Sequence, residues 1–216
     1  MSPVRPSARP LFVVDVDEVV LRFVAPLERF IAARGYALLP RSFALTGNIV
    51  RAGGDDAVSA AEVKTLIAAF FAEEVERQEP VDGALDALAR LQAHGDVLLL
   101  TNVPASAADG RRRCLARHGL DLEVIANDGL KGPALARLLI ERPPLGPRPV
   151  VFVDDGPSHL ASVRDAVADV RLVHFVDDER WFRMAPDVPG TWLKTRDWAE
   201  VMARLAPLLA PDRTEA

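Results

Sequence analysis

The chain has 216 residues, half of them hydrophobic, and carries 26 Lys plus Arg against 31 Asp plus Glu, a formal charge of −5. That acidic balance excludes a general nucleic-acid binder, whose footprint is basic, and no run approaches the ~18 apolar residues that a membrane span needs. The single cysteine, Cys114, excludes an internal disulfide or a cysteine-built metal cluster within one chain, and reads as a small apolar helix residue.

The opening MSPVRPSARP has arginines but no apolar stretch, so it is not read as a signal peptide, and a soluble cytoplasmic chain is expected. Residues 11 to 16 form a Val-rich apolar run, the pattern of a strand buried on both faces. VAPLERFIAARG then reads as an amphipathic helix with Val24, Leu27, Phe30 and Ile31 on one face and Gly35 as its stop. Ser59 and Glu62 form a capping-box pattern opening a second helix that carries Val63, Leu66, Ile67, Phe70 and Phe71. Pro80 and Gly83 punctuate the end of this segment.

Beyond it the pattern becomes regular. Strands are predicted at 97–100, more weakly at 122–126, then at 150–153 and 170–175. Helices are predicted at 83–94, 106–118, 133–142, 158–168 and near 197–209. Alternation of this kind predicts an α/β fold, a doubly wound parallel sheet. The core is expected to comprise residues 1–21 and 81–216, with a small helical unit inserted at 22–80. The tail from 211 to 216 is expected to fray.

Four polar features lie at or just beyond strand ends or at a helix start, where open α/β sheets bind ligands. They are Asp15 and Asp17, Thr101 and Asn102, Lys131, and Asp154 with Asp155. Together they hold what phosphoryl transfer needs. A carboxylate can attack phosphorus, and a second can protonate the leaving oxygen and then activate water. Mg²⁺ prefers hard oxygen ligands such as Asp15 and Asp155, with the Asp17 backbone carbonyl as a third. Thr101 offers a hydroxyl, and Lys131 a positive charge beside Asp15 and the phosphoryl group. Each feature alone is commonplace; their conjunction, in this order along one sheet edge, is not.

These residues resemble the four motifs of the haloacid dehalogenase superfamily. FVVDVDEV is similar to its apolar run followed by DxDx(T/V), VLLLT to its second motif, Lys131 to its third, and VFVDD to its acidic fourth. The resemblance covers residues 11 to about 175. It implies a Rossmannoid core, Asp15 as nucleophile, Asp17 as acid/base, Thr101 and Lys131 as further catalytic groups, and Mg²⁺ held by Asp15, Asp17, Asp155 and Asp154. The insertion after the first motif falls where the family places a helical cap that closes over substrate. Because Asp17 is present, the resemblance is to the phosphatase branch, and it implies hydrolysis of a small phosphomonoester through an aspartyl-phosphate. A weaker resemblance joins DVDEVVLRF and TGN to 5′(3′)-deoxyribonucleotidase-like members, which carry DxDGVLADF. It implies that Phe23 contacts a nucleobase, although Phe23 equally suits an anchor between cap and core. Thr46 and Asn48, with Gly47 and Arg51, are candidate substrate contacts from the cap, and Asn102 from the core.

Two positions depart from the pattern. Glu18 stands where this family commonly has Gly, and His159 stands where many members have an aspartate, a place that Asp154 is able to fill. His159 reads best as a polar helix-start residue. These departures motivate a catalytically degenerate binding or regulatory protein as one alternative; a phosphotransferase or mutase, in which another acceptor takes the phosphoryl group, is the other. The expected partner is a small phosphorylated metabolite, such as a nucleotide, and not a nucleic-acid polymer or a membrane; the sequence leaves the oligomeric state open. Asp177-Asp178-Glu179 reads as a solvated loop, Glu73-Glu74-Val75-Glu76 as an exposed helix face and Arg111-Arg112-Arg113 as a solvated helix start, with an outer phosphate-binding role as its alternative. Trp181, Trp192 and Trp198 are expected to pack the C-terminal segment on the core.

Overall fold

The computed structural model describes residues 9–141 and 148–209. The tail expected to fray, and residue 142 at the end of one predicted helix, lie outside the described residues. Eight strands are present among the described residues: β1 (Leu11–Val14), β2 (Tyr36–Leu38), β3 (Ile49–Arg51), β4 (Asp96–Thr101), β5 (Glu123–Ala126), β6 (Val150–Asp154), β7 (Val170–Phe175) and β8 (Thr191–Thr195). The helices are α1 (Val24–Ala32), α2 (Ala60–Glu74), α3 (Ala84–His94), α4 (Ala108–Arg117), α5 (Lys131–Glu141), α6 (Pro157–Ala166), α7 (Glu179–Met184) and α8 (Trp198–Leu209).

Six strands form one parallel sheet in the order β5-β4-β1-β6-β7-β8. The alternation of side chains across the pleat divides its core into two layers. Phe12, Val14, Leu99, Val151, Val153, Val173 and Phe175 point to the face covered by α3, α8 and the end of α4. Leu11, Val13, Leu100, Phe152 and Leu172 point to the face covered by α5 and α6. Every residue of β1 is buried, as a central strand between two helical layers requires. The doubly wound sheet is thus as the alternation predicts. β8 escaped prediction because its own residues 191–195 offer only Trp192 and Leu193 as apolar strand signal after a stretch with two prolines and a glycine, and the six-residue α7 is too short for a helical period to show.

Between β1 and α3 the chain forms α1, a two-stranded antiparallel β2–β3 hairpin and α2. The predicted face of α1 holds, with Val24, Leu27, Phe30 and Ile31 buried; in α2 Val63, Leu66, Phe70 and Phe71 are buried and Ile67 is half-buried. Ser59 Oγ accepts the Glu62 amide at 3.2 Å, one half of the capping box. The hairpin adds two short strands to an insertion expected to be mostly helical; at three residues each they are too short for alternation to show. This segment shares a hydrophobic cluster with core residues Val103, Ala107, Ala108, Val176, Trp181 and Ala185. Ion pairs cross the same junction, among them Arg180 to Glu28 at 2.8 Å, Arg113 to Glu76 at 2.5 Å and Arg22 to Asp177 at 3.2 Å. No helix among the described residues is long and apolar enough to cross a membrane.

Candidate active site

Asp15 leaves the end of β1, and its amide donates to the Val153 carbonyl at 2.9 Å. That ladder bond sets Asp15 level with Asp154 at the end of the neighbouring strand. Lys131, the first residue of α5, is wholly buried, and its ammonium lies 2.7 Å from Asp15 Oδ1 and 2.7 Å from Asp154 Oδ2. Burial works against this cation, but the two carboxylates outweigh it and hold its pKa above the ordinary lysine value. Lys131 can sit there because α5 packs very closely on α6. A Cβ on Gly132 would lie 2.1 Å from the Ser162 carbonyl oxygen, so only glycine permits the approach.

Asp155 joins Asp15 and Asp154 to form a group of three carboxylates with oxygen atoms all within 4.8 Å of one another. One ammonium faces three acids. Burial, followed by repulsion from Asp15 and Asp154, pushes the Asp155 pKa well above the carboxylate range, with Lys131 offsetting only part of it. Burial also raises Asp15, against the pull of Lys131. Asp154 Oδ1 accepts the Gly156 amide at 2.8 Å while Oδ2 meets Lys131, so Asp154 is the most fully partnered of the three. An excess of buried negative charge among oxygen donors is the environment of a hard divalent cation. Thr101, on the other flank of β1, has a buried hydroxyl without a hydrogen-bond partner among the described residues.

Asp17 stands apart. Its carboxylate is outside the converging group and lies 2.6 and 2.7 Å from Arg111 Nη2, with Gln78 Nε2 donating to it at 3.0 Å. Arg111 is completely buried. This corrects the reading of Arg111 as part of a solvated helix start, and leaves the Asp17 backbone carbonyl as the atom expected to meet a metal. Sequence reasoning missed Arg111 and Gln78 because a triplet of arginines signals solvent. The one available hint was that Arg111 precedes the buried Cys114 by three positions, on one side of a helix.

Glu18 is also occupied. It adopts a left-handed backbone, φ 63°, where the family pattern expects glycine. Its Oε2 accepts the amides of Phe23 at 3.0 Å and Val24 at 2.7 Å, and its Oε1 accepts the Asp178 amide at 2.9 Å. Burial, opposed by those amides, pushes its pKa up to about 7. The side chain therefore caps the start of α1 and ties it to the loop after β7. That loop is not the solvated one expected: Asp177 pairs with Arg22 at 3.2 Å, and Asp178 caps α7 by accepting the Arg180 amide at 2.8 Å.

The candidate substrate residues separate. Phe23 stacks on Phe71 at 5.7 Å and meets Phe70 edge-on at 5.4 Å, an anchor within the insertion. It also lines a cavity of about 140 Å³ with Glu18, Phe43, Leu45, Asp155 and Trp181. Asn48 does not fit a substrate contact. Its Oδ1 accepts the Arg41 amide and its Nδ2 donates to the Ser42 and Ala44 carbonyls, which folds the 41–48 loop. Thr46 is exposed on that loop. The Asn102 side chain donates to the Gly129 carbonyl at 2.8 Å and accepts from Asn127 at 2.9 Å, tying the β4 end to the β5 loop. His159 lies in the first turn of α6, 3.4 Å from Asn102 Nδ2. Trp198 packs against Phe175 as expected, whereas Trp181 is buried in the cluster shared with the insertion.

No family model matches this chain, and no curated protein does. Solved structures share its architecture over nearly its full length. A haloacid dehalogenase-like hydrolase from Burkholderia xenovorans LB400 superposes with a TM-score of 0.62 at 16% identity, covering 95% of this chain and 100% of its own. A HAD-family hydrolase from Deinococcus radiodurans R1, with bound phosphate and sodium, gives 0.60 at 18% identity over 96% and 99%. The HAD hydrolase YfnB from Bacillus subtilis, bound to magnesium, gives 0.61 at 16% identity over 92% and 99%. The chain therefore has the haloacid dehalogenase-like hydrolase fold.

Proposed function

We propose that this chain is a Mg²⁺-dependent phosphohydrolase that cleaves a small phosphomonoester through an aspartyl-phosphate on Asp15. The observation that carries the reading is the group of three carboxylates, the buried Asp15 and Asp154 and the half-buried Asp155, with the one ammonium of Lys131, at the C-terminal edge of the central strands. Asp15 and Asp155 would hold the ion, with Asp154 engaged mainly by Lys131. When bound, Mg²⁺ would supply positive charge that lets an anionic carboxylate approach an anionic phosphate. Phosphate bound to the Deinococcus protein and magnesium bound to the Bacillus protein support the same use of this fold.

In this reading, Lys131 steadies Asp15 and the phosphoryl oxygens, and the Thr101 hydroxyl, left without a partner, donates to one of those oxygens. Asp17 is the acid/base group of the reaction. Glu18 gives no support to a degenerate, inactive chain, because its carboxylate is taken up by three backbone amides rather than left loose beside Asp15. The test is direct. The purified protein is expected to release phosphate from 4-nitrophenyl phosphate with Mg²⁺ and to stop with EDTA. The D15N variant is expected to keep its fold and lose at least 10³-fold in kcat, as loss of a covalent nucleophile requires; turnover by folded D15N near the parent rate would sink the mechanism.

A further inference from the structure

Beside the carboxylates lies a cavity of about 140 Å³ between the insertion and the core. Phe23, Phe43 and Leu45 line it from the insertion, and Val176 and Trp181 from the core. Asp155 lines it as well and also belongs to the carboxylate group, so the cavity adjoins the place where the phosphoryl group reacts. Its outer wall is held in place from both sides. Asn48 is completely buried; its Oδ1 accepts the Arg41 amide and its Nδ2 donates to the Ser42 and Ala44 carbonyls, which fixes the loop that presents Phe43 and Leu45. The Phe43 ring meets Trp181 edge-on at 5.7 Å and His174 at 6.3 Å. His174 Nε2 in turn donates to the Asp155 carbonyl at 2.9 Å, which links this wall to the strand end that carries Asp155.

The lining decides what can enter. No Lys or Arg among the described residues lines the cavity, and its charged members are Asp155 and Glu18. Glu18 is already taken up by the amides of Phe23, Val24 and Asp178. A carboxylate or second phosphate on a ligand would leave water here and meet only acids, a burial without a partner that apolar surroundings penalise heavily. The hydroxyls of a sugar would lose their water against rings and methyl groups. An ammonium would find one acid saturated by amides and the other turned to the site. Size sets the remaining limit: an apolar cavity of about 150 Å³ takes up benzene, so one six-membered ring fills this one. We infer that the cavity holds the leaving group, and that the substrate is a monophosphate ester of an uncharged apolar alcohol about the size of a single ring. This rests on the phosphohydrolase reading above and narrows its substrate. Hydrolysis breaks the bond between phosphorus and the alcohol oxygen, consumes one water, and releases the alcohol and inorganic phosphate. Phe43, Leu45 and Trp181 are the specificity-determining residues.

The experiment supplies the full chain with Mg²⁺ and compares benzyl, 4-carboxybenzyl and ethyl phosphates and phosphocholine. All are esters of primary alcohols and differ in the body carried into the cavity. Burying a phenyl ring is worth about 10- to 100-fold, so benzyl phosphate is expected to exceed each of the other three by that order in kcat/KM. F43R and L45R each put a guanidinium on the cavity wall, where it can pair with a carboxylate. Each is expected to lower the benzyl to 4-carboxybenzyl ratio by about tenfold or more, and either one serves where the other does not fold. Benzyl and ethyl phosphate within a few-fold of each other overturn the proposal, as does a preference for 4-carboxybenzyl phosphate or phosphocholine, or a ratio that the folded variant leaves unchanged. Turnover of 4-nitrophenyl phosphate without turnover of benzyl phosphate also overturns it, and leaves the phosphohydrolase reading standing. Failure to hydrolyse any of these esters overturns that reading, and this proposal with it.

Discussion

At the scale of single residues, the site is organised by buried charges that have definite partners. Lys131 faces Asp15 and Asp154, and nothing else among the described residues pairs with its ammonium. K131M would leave three acids together without a cation. Removing one partner of a buried ion pair costs about 3–5 kcal/mol, so K131M is expected to lose stability of that order in urea titrations at neutral pH in EDTA. A variant as stable as its parent under those conditions would contradict the pairing. Glu18 poses a contest of two effects. Its left-handed backbone costs about 1–2 kcal/mol, which glycine would relieve. Yet E18G would strip the acceptor from the Phe23, Val24 and Asp178 amides, at about 1–3 kcal/mol for each buried donor left unsatisfied. The loss wins, so E18G is expected to melt below the parent despite installing the residue that the backbone prefers; a rise in Tm would show those amides to be satisfied by solvent.

At the scale of elements, close helix contacts do the positioning. Gly132 sets the distance between α5 and α6, and its amide bonds Ser162 Oγ at 3.1 Å. G132A is expected to force the helices apart, costing about 1–3 kcal/mol as an overpacked contact, and to draw Lys131 from Asp15. Activity should fall by more than the unfolded fraction explains; activity that tracks the folded fraction alone would show the contact to be structural only. This is also where the sequence was legible and where it was not. The strands of the central sheet announced themselves because burial on both faces writes a continuous apolar run, as in LFVV and VVFV. Asp15, Thr101, Lys131 and Asp154 could be found because strand ends and helix starts fix where a polar residue must emerge. Arg111 and Gln78 could not, since a buried charge looks like a solvated one until its partner is placed, and Asp17 lies 94 residues from Arg111 in the chain. Asn48 misled for the converse reason: a polar residue in a cap loop resembles a substrate contact, but three hydrogen bonds inside its own loop consume it.

At the scale of the whole molecule, the inserted segment and the core close over a centre whose charge is incomplete in the protein alone. That imbalance has a thermodynamic signature. Burial and mutual repulsion hold the Asp155 pKa well above its ordinary value, and Asp15 is raised as well. An acid whose folded pKa is raised binds its proton more tightly in the native state than in the unfolded one. Its contribution to stability is therefore fully present below the ordinary carboxylate range and is lost as pH rises through the folded value. The metal-free protein is expected to lose stability from the ordinary carboxylate range, near pH 4, upward into the raised range. In the proposed reading a divalent cation would replace those protons, so its binding should release them and strengthen with pH, about tenfold per pH unit for each proton displaced. The stabilisation by Mg²⁺ follows RT ln(1 + [L]/Kd), about 2.7 kcal/mol at a concentration 100 times Kd. Melting the protein at pH 5.5 and pH 8 with EDTA and with saturating Mg²⁺ gives four temperatures that decide the matter. The Mg²⁺-induced rise in Tm should be clearly larger at pH 8, and D155N, which removes one of the three acids, should shrink it there. An equal Mg²⁺ effect at both pH values, or one unchanged in D155N, would mean that the ion binds elsewhere and that the three carboxylates are not its site.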